Sequence, residues 1–404
     1  MPDKDIRLLE NTAIRYITPM DHRTYTELIS KGLMDEGCYY DLEDIKRIGV
    51  KLDGSGLSDR SAMIIREVIK CSDKVRKAVD DYADIAERDG IKTVCKDDPD
   101  YPFSWKMLTG MPPVFFAKGD TSILRQITYT GAAAIVGSRK PGRYSLYATE
   151  QFSSALARKD VVIVSGLALG IDRKAHEACL NEGKKTVAVT AGGANIIYPY
   201  QNRDIYERIM SEGVLITELP PGQEVLRQYF PSRNRLISAL SDSVLIMEAG
   251  LYSGTLHTAS FAAAQGKDVF VLPNSIYSEN SIGGLMLLRD GAEVLIDADT
   301  VYERIMGEAE NRRLLLDEPS MLPGDMFDKN RLRQMAKTSP DELNEEQWKL
   351  IVYDEISERP KNIDELCISL GIPFSFLSAI VTGLETEGKI ANERGRYVLT
   401  IHGR

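Results

Sequence analysis

Five short stretches of this chain gather the residue types that hold an anionic oxygen. They are Gly137-Ser138-Arg139-Lys140, Ser165-Gly166-Leu167-Ala168, Ala191-Gly192-Gly193, Glu218-Leu219-Pro220-Pro221-Gly222, and Glu248-Ala249-Gly250 followed by Ser253-Gly254-Thr255. Glycine lets a ligand come close to backbone amides, hydroxyls donate hydrogen bonds, and a guanidinium forks onto phosphate oxygens. Arg139, Lys140, Arg143, Arg233 and Arg235 stand in or near the same stretches. The chemistry that suits such a set is phosphate binding. Tight turns and helix caps recruit the same small residues; that accounts for any one stretch, but poorly for five with arginines around them.

Each stretch follows a short apolar run, and the runs define the elements that must position it. They are Ala132 to Val136, Val161 to Val164, Thr186 to Thr190, Val214 to Thr217, Val244 to Met247, Val269 to Leu272 and Glu293 to Ile296. Most are continuously apolar and rich in valine and isoleucine, as strands covered on both faces are. Helical patterns fit between them, including Ser145 to Arg158, Asp172 to Asn181 and Thr255 to Gln265, with Gly183 and Gly266 as helix stops. This alternation predicts an α/β fold with a parallel sheet. Ligands of such sheets bind beyond the carboxyl ends of the strands, where the five stretches fall.

Absences narrow the ligand. The first turn reads GSRKPG and not GxGxxG, and the second run ends without an acidic residue for a ribose, which argues against a redox dinucleotide. No GxxxxGK[ST] string supports a P-loop nucleotidase. His176 and His257 lie in helical patterns without metal-ligand spacing or a paired nucleophile, and read as packing or helix-surface residues. Cys38, Cys71, Cys95, Cys179 and Cys367 form no CxxC pair and read as reduced packing residues. No enzyme activity, cofactor or metal is expected.

The 404 residues exceed one ordinary core. Residues 1–88 read as a small helical domain, 89–306 as the α/β domain, 307–344 as a charged, proline-bearing linker with room for one short helix, and 345–404 as a winged helix. No apolar run approaches a membrane span and the N-terminus lacks a secretory pattern, so a cytoplasmic protein is expected. A net charge of -10 requires any nucleic-acid contact to be a localised patch. In the last module Leu377, Ile380 and Leu384 form the core stripe of the would-be recognition helix. Its outward positions, Ser375, Ser378, Thr382, Glu385 and Glu387, carry no arginine or lysine. Groove reading by that helix is disfavoured; Lys389, Arg394 and Arg396 in the wing could touch a nucleic-acid backbone, but protein contact or autoregulation is the better reading.

As a set, the strings VGSRKPGRYS, VSGLALGIDRKAHEACL, AGGANIIYPYQNRDIY, GVLITELPPG, FPSRNRLISALSDSVLIMEAG and LLRDGAEVL resemble the DNA-processing protein A (DprA, or Smf) family over about residues 88 to 300. The resemblance implies an extended Rossmann-like domain that binds single-stranded DNA, usually as a homodimer, and loads a RecA-type recombinase onto incoming DNA in natural transformation. It also implies no enzymatic activity, and a sterile-alpha-motif-like character for the N-terminal helices. It gives Arg139 the principal phosphate contact, with Gly137 and Ser138 beside it and Gly166, Tyr198, Pro199, Gln201 and Asn202 bordering the pocket. Asn195 stands where many relatives carry aspartate, Tyr200 where they carry lysine, and Leu285 where they often carry asparagine.

Several residues keep two readings. Arg139 either forks onto phosphate or pairs with Glu218 or Glu248. Arg233-Asn234-Arg235 either make a second phosphate contact or begin a capped helix whose arginines bind the sheet-edge acids. Tyr198 either stacks on a base, worth about 1–3 kcal/mol, or packs before Pro199. Ser253-Gly254-Thr255 either cradles an anion or starts a helix. The competing function is a nucleotide-binding enzyme of the nucleoside-monophosphate phosphoribohydrolase type, for which Glu248 is the one available carboxylate, although no PGGxGTxxE string is present.

Overall fold

The computed structural model describes residues 3–34, 40–52, 55–317, 345–358, 361–386, 390–393 and 396–399. Five helices come first: α1 (Asp3–Ile17), α2 (His22–Ser30), α3 (Leu42–Val50), α4 (Asp59–Lys70) and α5 (Ser72–Asp89). Their starts are fixed by side-chain caps. Asp21, Asp41 and Ser58 each accept a backbone N–H of the first turn, and Asp41 and Asp44 form a reciprocal capping box.

The chain then builds β1 (Lys92–Cys95), α6 (Phe103–Lys106), β2 (Val114–Gly119), α7 (Ser122–Thr130), β3 (Ala132–Gly137), α8 (Arg143–Arg158), β4 (Val162–Ser165), α9 (Ile171–Asn181) and β5 (Thr186–Val189). It continues through α10 (Arg203–Glu212), β6 (Val214–Thr217), α11 (Tyr229–Leu240), β7 (Ser243–Glu248), α12 (Thr255–Ala264), β8 (Asp268–Val271), α13 (Ile282–Arg289), β9 (Glu293–Val294) and α14 (Ala298–Asp317). The strands form one sheet in the order β1-β2-β6-β5-β4-β3-β7-β8-β9. The seven apolar runs are its parallel strands, β3 to β9. Two further strands, β1 and β2, extend one side antiparallel; they lie before the βαβ alternation that made the others legible.

Separate apolar clusters cover the two faces. One centres on Phe115, Ile216, Leu236 and Ile246, the other on Ile135, Leu156, Ile163 and Phe270. The core of the N-terminal helices is continuous with that of the sheet domain: Leu8, Ile45 and Ile65 belong to the same cluster as Ile205, Tyr206 and Leu215. Residues 1–313 accordingly form one compact unit.

Residues 307–317, read from sequence as the start of a linker, continue α14. Their charges misled because one is buried: Arg312 forms a buried pair with Asp242 and donates to the Ile127 carbonyl, 3.2 Å away. The remainder of the expected linker, 318–344, lies outside the described residues.

The second unit contains helices Glu345–Glu358, Ile363–Leu370 and Phe374–Thr386, then an antiparallel pair, β10 (Ile390–Glu393) and β11 (Arg396–Leu399). Trp348, Leu366, Leu377, Ile380 and Leu384 form its core. Thr382 and Glu385 are exposed, and Ser378 is half-buried. Glu387, Lys389 and Arg394 lie outside the described residues, as does the side chain of Ser375. Among the described residues, no helix is long and apolar enough to cross a membrane.

Candidate nucleic-acid interface

Strands β3 and β7 are neighbours, but from β3 the chain winds outward through β4, β5 and β6, and from β7 it winds the other way through β8 and β9. Loops leaving such a pair diverge and open a crevice at their carboxyl ends. A cleft of about 690 Å³ opens there, bounded by Gly137 to Arg139 on one side and Gly250 to Thr255 on the other. A smaller hollow of about 60 Å³ adjoins it beyond β4 and β5, walled by Gly166 to Leu169, Thr190 to Gly192 and Tyr198. Arg139, Ala168, Phe230 and Arg233 line both.

Arg139 lies in the β3–α8 loop; α8 begins at Arg143, with Gly142 at its N-cap. Neither candidate acid binds it. Glu248 is buried and accepts from the Gly142 amide at 3.0 Å and the Ser145 hydroxyl at 2.7 Å, which pins the loop to the end of β7. Glu218 pairs with Arg235. Among the described residues Arg139 has no ion pair; its exposed guanidinium stands 4.9 Å from the centroid of the Phe230 ring.

Phe230, in the first turn of α11, is the site residue that sequence reasoning passed over. Tyr198 meets it edge-on at 6.0 Å, and the Arg233 guanidinium lies 5.9 Å from its centroid. The one available signal was an aromatic residue immediately before Pro231-Ser232-Arg233. An uncharged side chain draws no notice when phosphate ligands are being sought.

Residues 92–306 match the family described as DNA recombination-mediator protein A. The chain belongs to the DNA-processing protein A (DprA/Smf) family. Protein Smf of Synechocystis sp. is 34% identical over 318 residues, spanning 74% of this chain and 78% of that one. DNA processing protein DprA of Bacillus subtilis is 36% identical over 216 residues, spanning 54% and 72%. The X-ray structure of DprA from Streptococcus pneumoniae superimposes with a TM-score of 0.58 at 26% identity, covering 76% of this chain and 98% of that one.

The arginines that sequence grouped together separate in the fold. Arg233 is buried and bound to the fold, although it lines both hollows. Its Nη1 donates to the Gly166 carbonyl at 2.7 Å and to the Val189 carbonyl, and burial pushes its pKa down to about 10. A planar guanidinium can satisfy two carbonyls from adjacent strand ends at once. Gly166 is required above it, since a Cβ there would come within 2.6 Å of the guanidinium. Asp172 completes the layer, accepting from the amides of Gly166 at 3.2 Å and Ala168 at 3.3 Å; burial raises its pKa, against the pull of Arg233. Arg235, paired with Glu218, lines neither hollow. The helix they share starts at Tyr229, not at Ser232.

Asn202, expected at the pocket rim, is buried, and its Nδ2 donates to the carbonyls of Leu167 at 2.9 Å and Ala168 at 3.0 Å. It braces the β4–α9 loop, in which Leu167 holds a left-handed φ of 55°. Gly170, at φ 81°, closes that loop where a Cβ would lie 2.4 Å from the Ser138 carbonyl. Tyr198, exposed and preceding a cis Pro199, faces the smaller hollow, and Gln201 is exposed. Ser138 Oγ accepts from the Lys140 amide at 3.1 Å, which leaves its proton to donate outward; Lys140 is exposed. Ser253 Oγ accepts from the Thr255 amide at 3.2 Å, and Thr255 does begin α12. Both nevertheless line the cleft, as does Gly254, and Asn234 ties α11 to that loop through a 3.2 Å bond to the Gly254 carbonyl.

His176 is buried in α9, its Nδ1 2.8 Å from Thr186 Oγ1, and burial with Arg233 nearby pushes its pKa down to about 3. His257 is exposed. Among the described residues, no group of three metal-binding side chains occurs, and Cys71, Cys95, Cys179 and Cys367 are free; Cys38 lies outside them.

Proposed function

We propose that this chain is a DNA-processing protein that works by binding and not by catalysis. In this reading it holds single-stranded DNA at the switch-point edge and passes it to a RecA-type recombinase during DNA uptake. The observation that carries the reading is Arg139, an exposed guanidinium without a carboxylate partner among the described residues, set on an aromatic ring at the mouth of two adjoining hollows. A cation so placed meets a phosphate, and the ring beside it offers a face to an unstacked base. Base pairs in a duplex keep their faces covered, so the arrangement favours a single strand.

Gly137, Ser138, Lys140, Asn234, Ser253, Gly254 and Thr255 would line the strand's phosphate side, and Tyr198, Pro199 and Gln201 its base side. Gly166, Asn202 and Arg233 would act beneath the surface by holding the loops. The names of the relatives, DNA processing proteins, support the same assignment. The phosphoribohydrolase alternative is not favoured: Glu248 lies buried outside the lining of both hollows, one oxygen committed to the β3–α8 loop.

The rest of the proposal is organisational. We take residues 1–88 as a sterile-alpha-motif-like domain, 89–306 as the extended Rossmann-like domain, and the helices and paired strands after 345 as a winged helix serving protein contact, in a cytoplasmic homodimer. The test is fluorescence anisotropy of labelled single-stranded and duplex oligonucleotides across a salt series, with wild type and Arg139→Ala. Preferential single-strand binding is expected, with the mutant weaker and its log–log salt slope shallower by about 0.7 for one lost phosphate contact. Absence of wild-type binding at low salt would remove the reading.

A further inference from the structure

We infer that a surface outside the cleft, made by the first turns of α8 and the tip of the β8–α13 loop, holds a further stretch of the single strand after it leaves the switch-point edge. The inference rests on the strand-binding reading and extends it to residues that line neither hollow.

The outer side of α8 carries the first observation. Ser145, Ala148 and Thr149 are buried, and the helical period leaves Arg143, Tyr144 and Tyr147 facing away from them. Tyr144 and Tyr147 are 53% and 64% exposed. Arg143 is exposed, and among the described residues it has no ion pair. Glu150, the only acid of the helix, lies 3.8 Å from Lys174 Nζ. A helix already buried on one side gains nothing in propensity from tyrosines on the other, where alanine, glutamate or lysine would serve it better.

The β8–α13 loop carries the second. Asn274 Nδ2 donates to Ser145 Oγ at 3.1 Å, and Asn280 Nδ2 reaches the Lys140 carbonyl at 3.5 Å. These two bonds lay the segment between them along the β3–α8 loop and the start of α8. Within it the Ser278 amide donates to the Ser275 carbonyl at 3.1 Å, closing a turn with Ile276 and Tyr277 at its tip. The two tip residues are 70% and 91% exposed. Turn tips belong mostly to glycine, proline, asparagine and aspartate. An isoleucine and a tyrosine there hold apolar surface in water without benefit to the fold. Glu279, the one acid of the segment, lines the cleft instead.

Open rings beside an unpaired guanidinium suit a strand whose bases are not paired. Tyr144 and Tyr147 stand one turn apart, with ~5–6 Å between Cβ atoms at such a spacing, and offer faces to successive bases. Tyr277 offers another, and Arg143 meets a phosphate. Lys140 lies in the chain between Arg139 and this surface, so the phosphate contacts continue from the proposed strand site onto α8. A second copy of this chain fits the surface less well, since a two-fold contact would set like charges against each other.

The experiment uses the full chain and labelled thymidine oligonucleotides of about 6 and about 16 nucleotides, both within the range that a strand groove engages. Anisotropy is read at both lengths. Tyr144→Ala combined with Tyr147→Ala, and Tyr277→Ala alone, should weaken the longer oligonucleotide by about 5- to 150-fold for each ring removed, and the shorter by less than about two-fold. Phenylalanine at 144 and 147 should restore the longer one, because stacking uses the ring and not the hydroxyl. Arg143→Ala should make the longer oligonucleotide's log–log salt slope shallower by about 0.7 and leave that of the shorter unchanged. Sedimentation without DNA should give every variant the oligomeric state of the wild type. Equal losses at both lengths, or none at either, overturn the inference and leave the strand reading standing. A changed oligomeric state in Tyr277→Ala gives the surface to a second copy and overturns it as well. Absence of wild-type binding at both lengths ends the strand reading and the inference with it.

Discussion

The guanidinium of Arg139 rests on the ring of Phe230, 4.9 Å from its centroid, while Arg233 approaches the same ring at 5.9 Å from the protein interior. One aromatic side chain thus contacts both an exposed arginine without an ion pair among the described residues and a buried one bound to strand-end carbonyls.

Phe230→Leu should weaken single-strand binding by about 1–3 kcal/mol through lost stacking and a less well-held Arg139. Because no charge is removed, the salt slope should match that of the wild type, in contrast to Arg139→Ala. Anisotropy over a salt series separates the two. A slope that changes with Phe230 would mean the ring positions more than one phosphate contact.

Arg233→Met should destabilise the fold by roughly 2–4 kcal/mol, since it strands the buried carbonyls of Gly166 and Val189. Gly166→Ala, which pushes a methyl group against that guanidinium, should cost about 1–3 kcal/mol. Urea unfolding reads both. Near-wild-type stability of Arg233→Met would return this residue to the phosphate-binding set.

Arg312→Met should cost about 3–5 kcal/mol, because Asp242 would be left buried and without its partner. Asp242 also accepts from the Ala132 amide at 2.9 Å, at the start of β3. Restoring much of the loss with Asp242→Asn in the same chain would establish the pair as its cause. If Arg312→Met unfolds like wild type, α14 is held by its apolar face alone.

His176 gives the stability a defined pH dependence. Its imidazole is kept neutral in the folded chain, with a pKa near 3 against an ordinary 6.5. Between those values the unfolded chain binds the proton and the folded chain does not. The contribution is therefore complete above about pH 6.5 and lost as pH falls toward 3, by up to about 1.4 kcal/mol per unit. His176→Gln should be less stable than wild type at about pH 7, and the gap should narrow at about pH 4.5. A gap that stays constant between the two would exclude the buried neutral imidazole.

The seven parallel strands, the glycine stops at 183 and 266, and the gathering of small residues and arginines at one sheet edge were legible in the sequence alone. They depend on local periodicity and on residue types at strand ends, which a linear reading samples directly. Strand order, and with it the crevice between β3 and β7, was not legible, because it depends on which way each crossover turns. Residue type alone could not rank Arg139, Arg233 and Arg235; only the family resemblance put Arg139 first. All three sit beside small residues near the same edge, and what separates them is a ring, two carbonyls and a carboxylate brought from other parts of the chain. Asn202 was misplaced for the same reason, since its partners lie 34 and 35 residues away. Residue type sets what a side chain can bind; only the tertiary structure decides which partner reaches it before the ligand does.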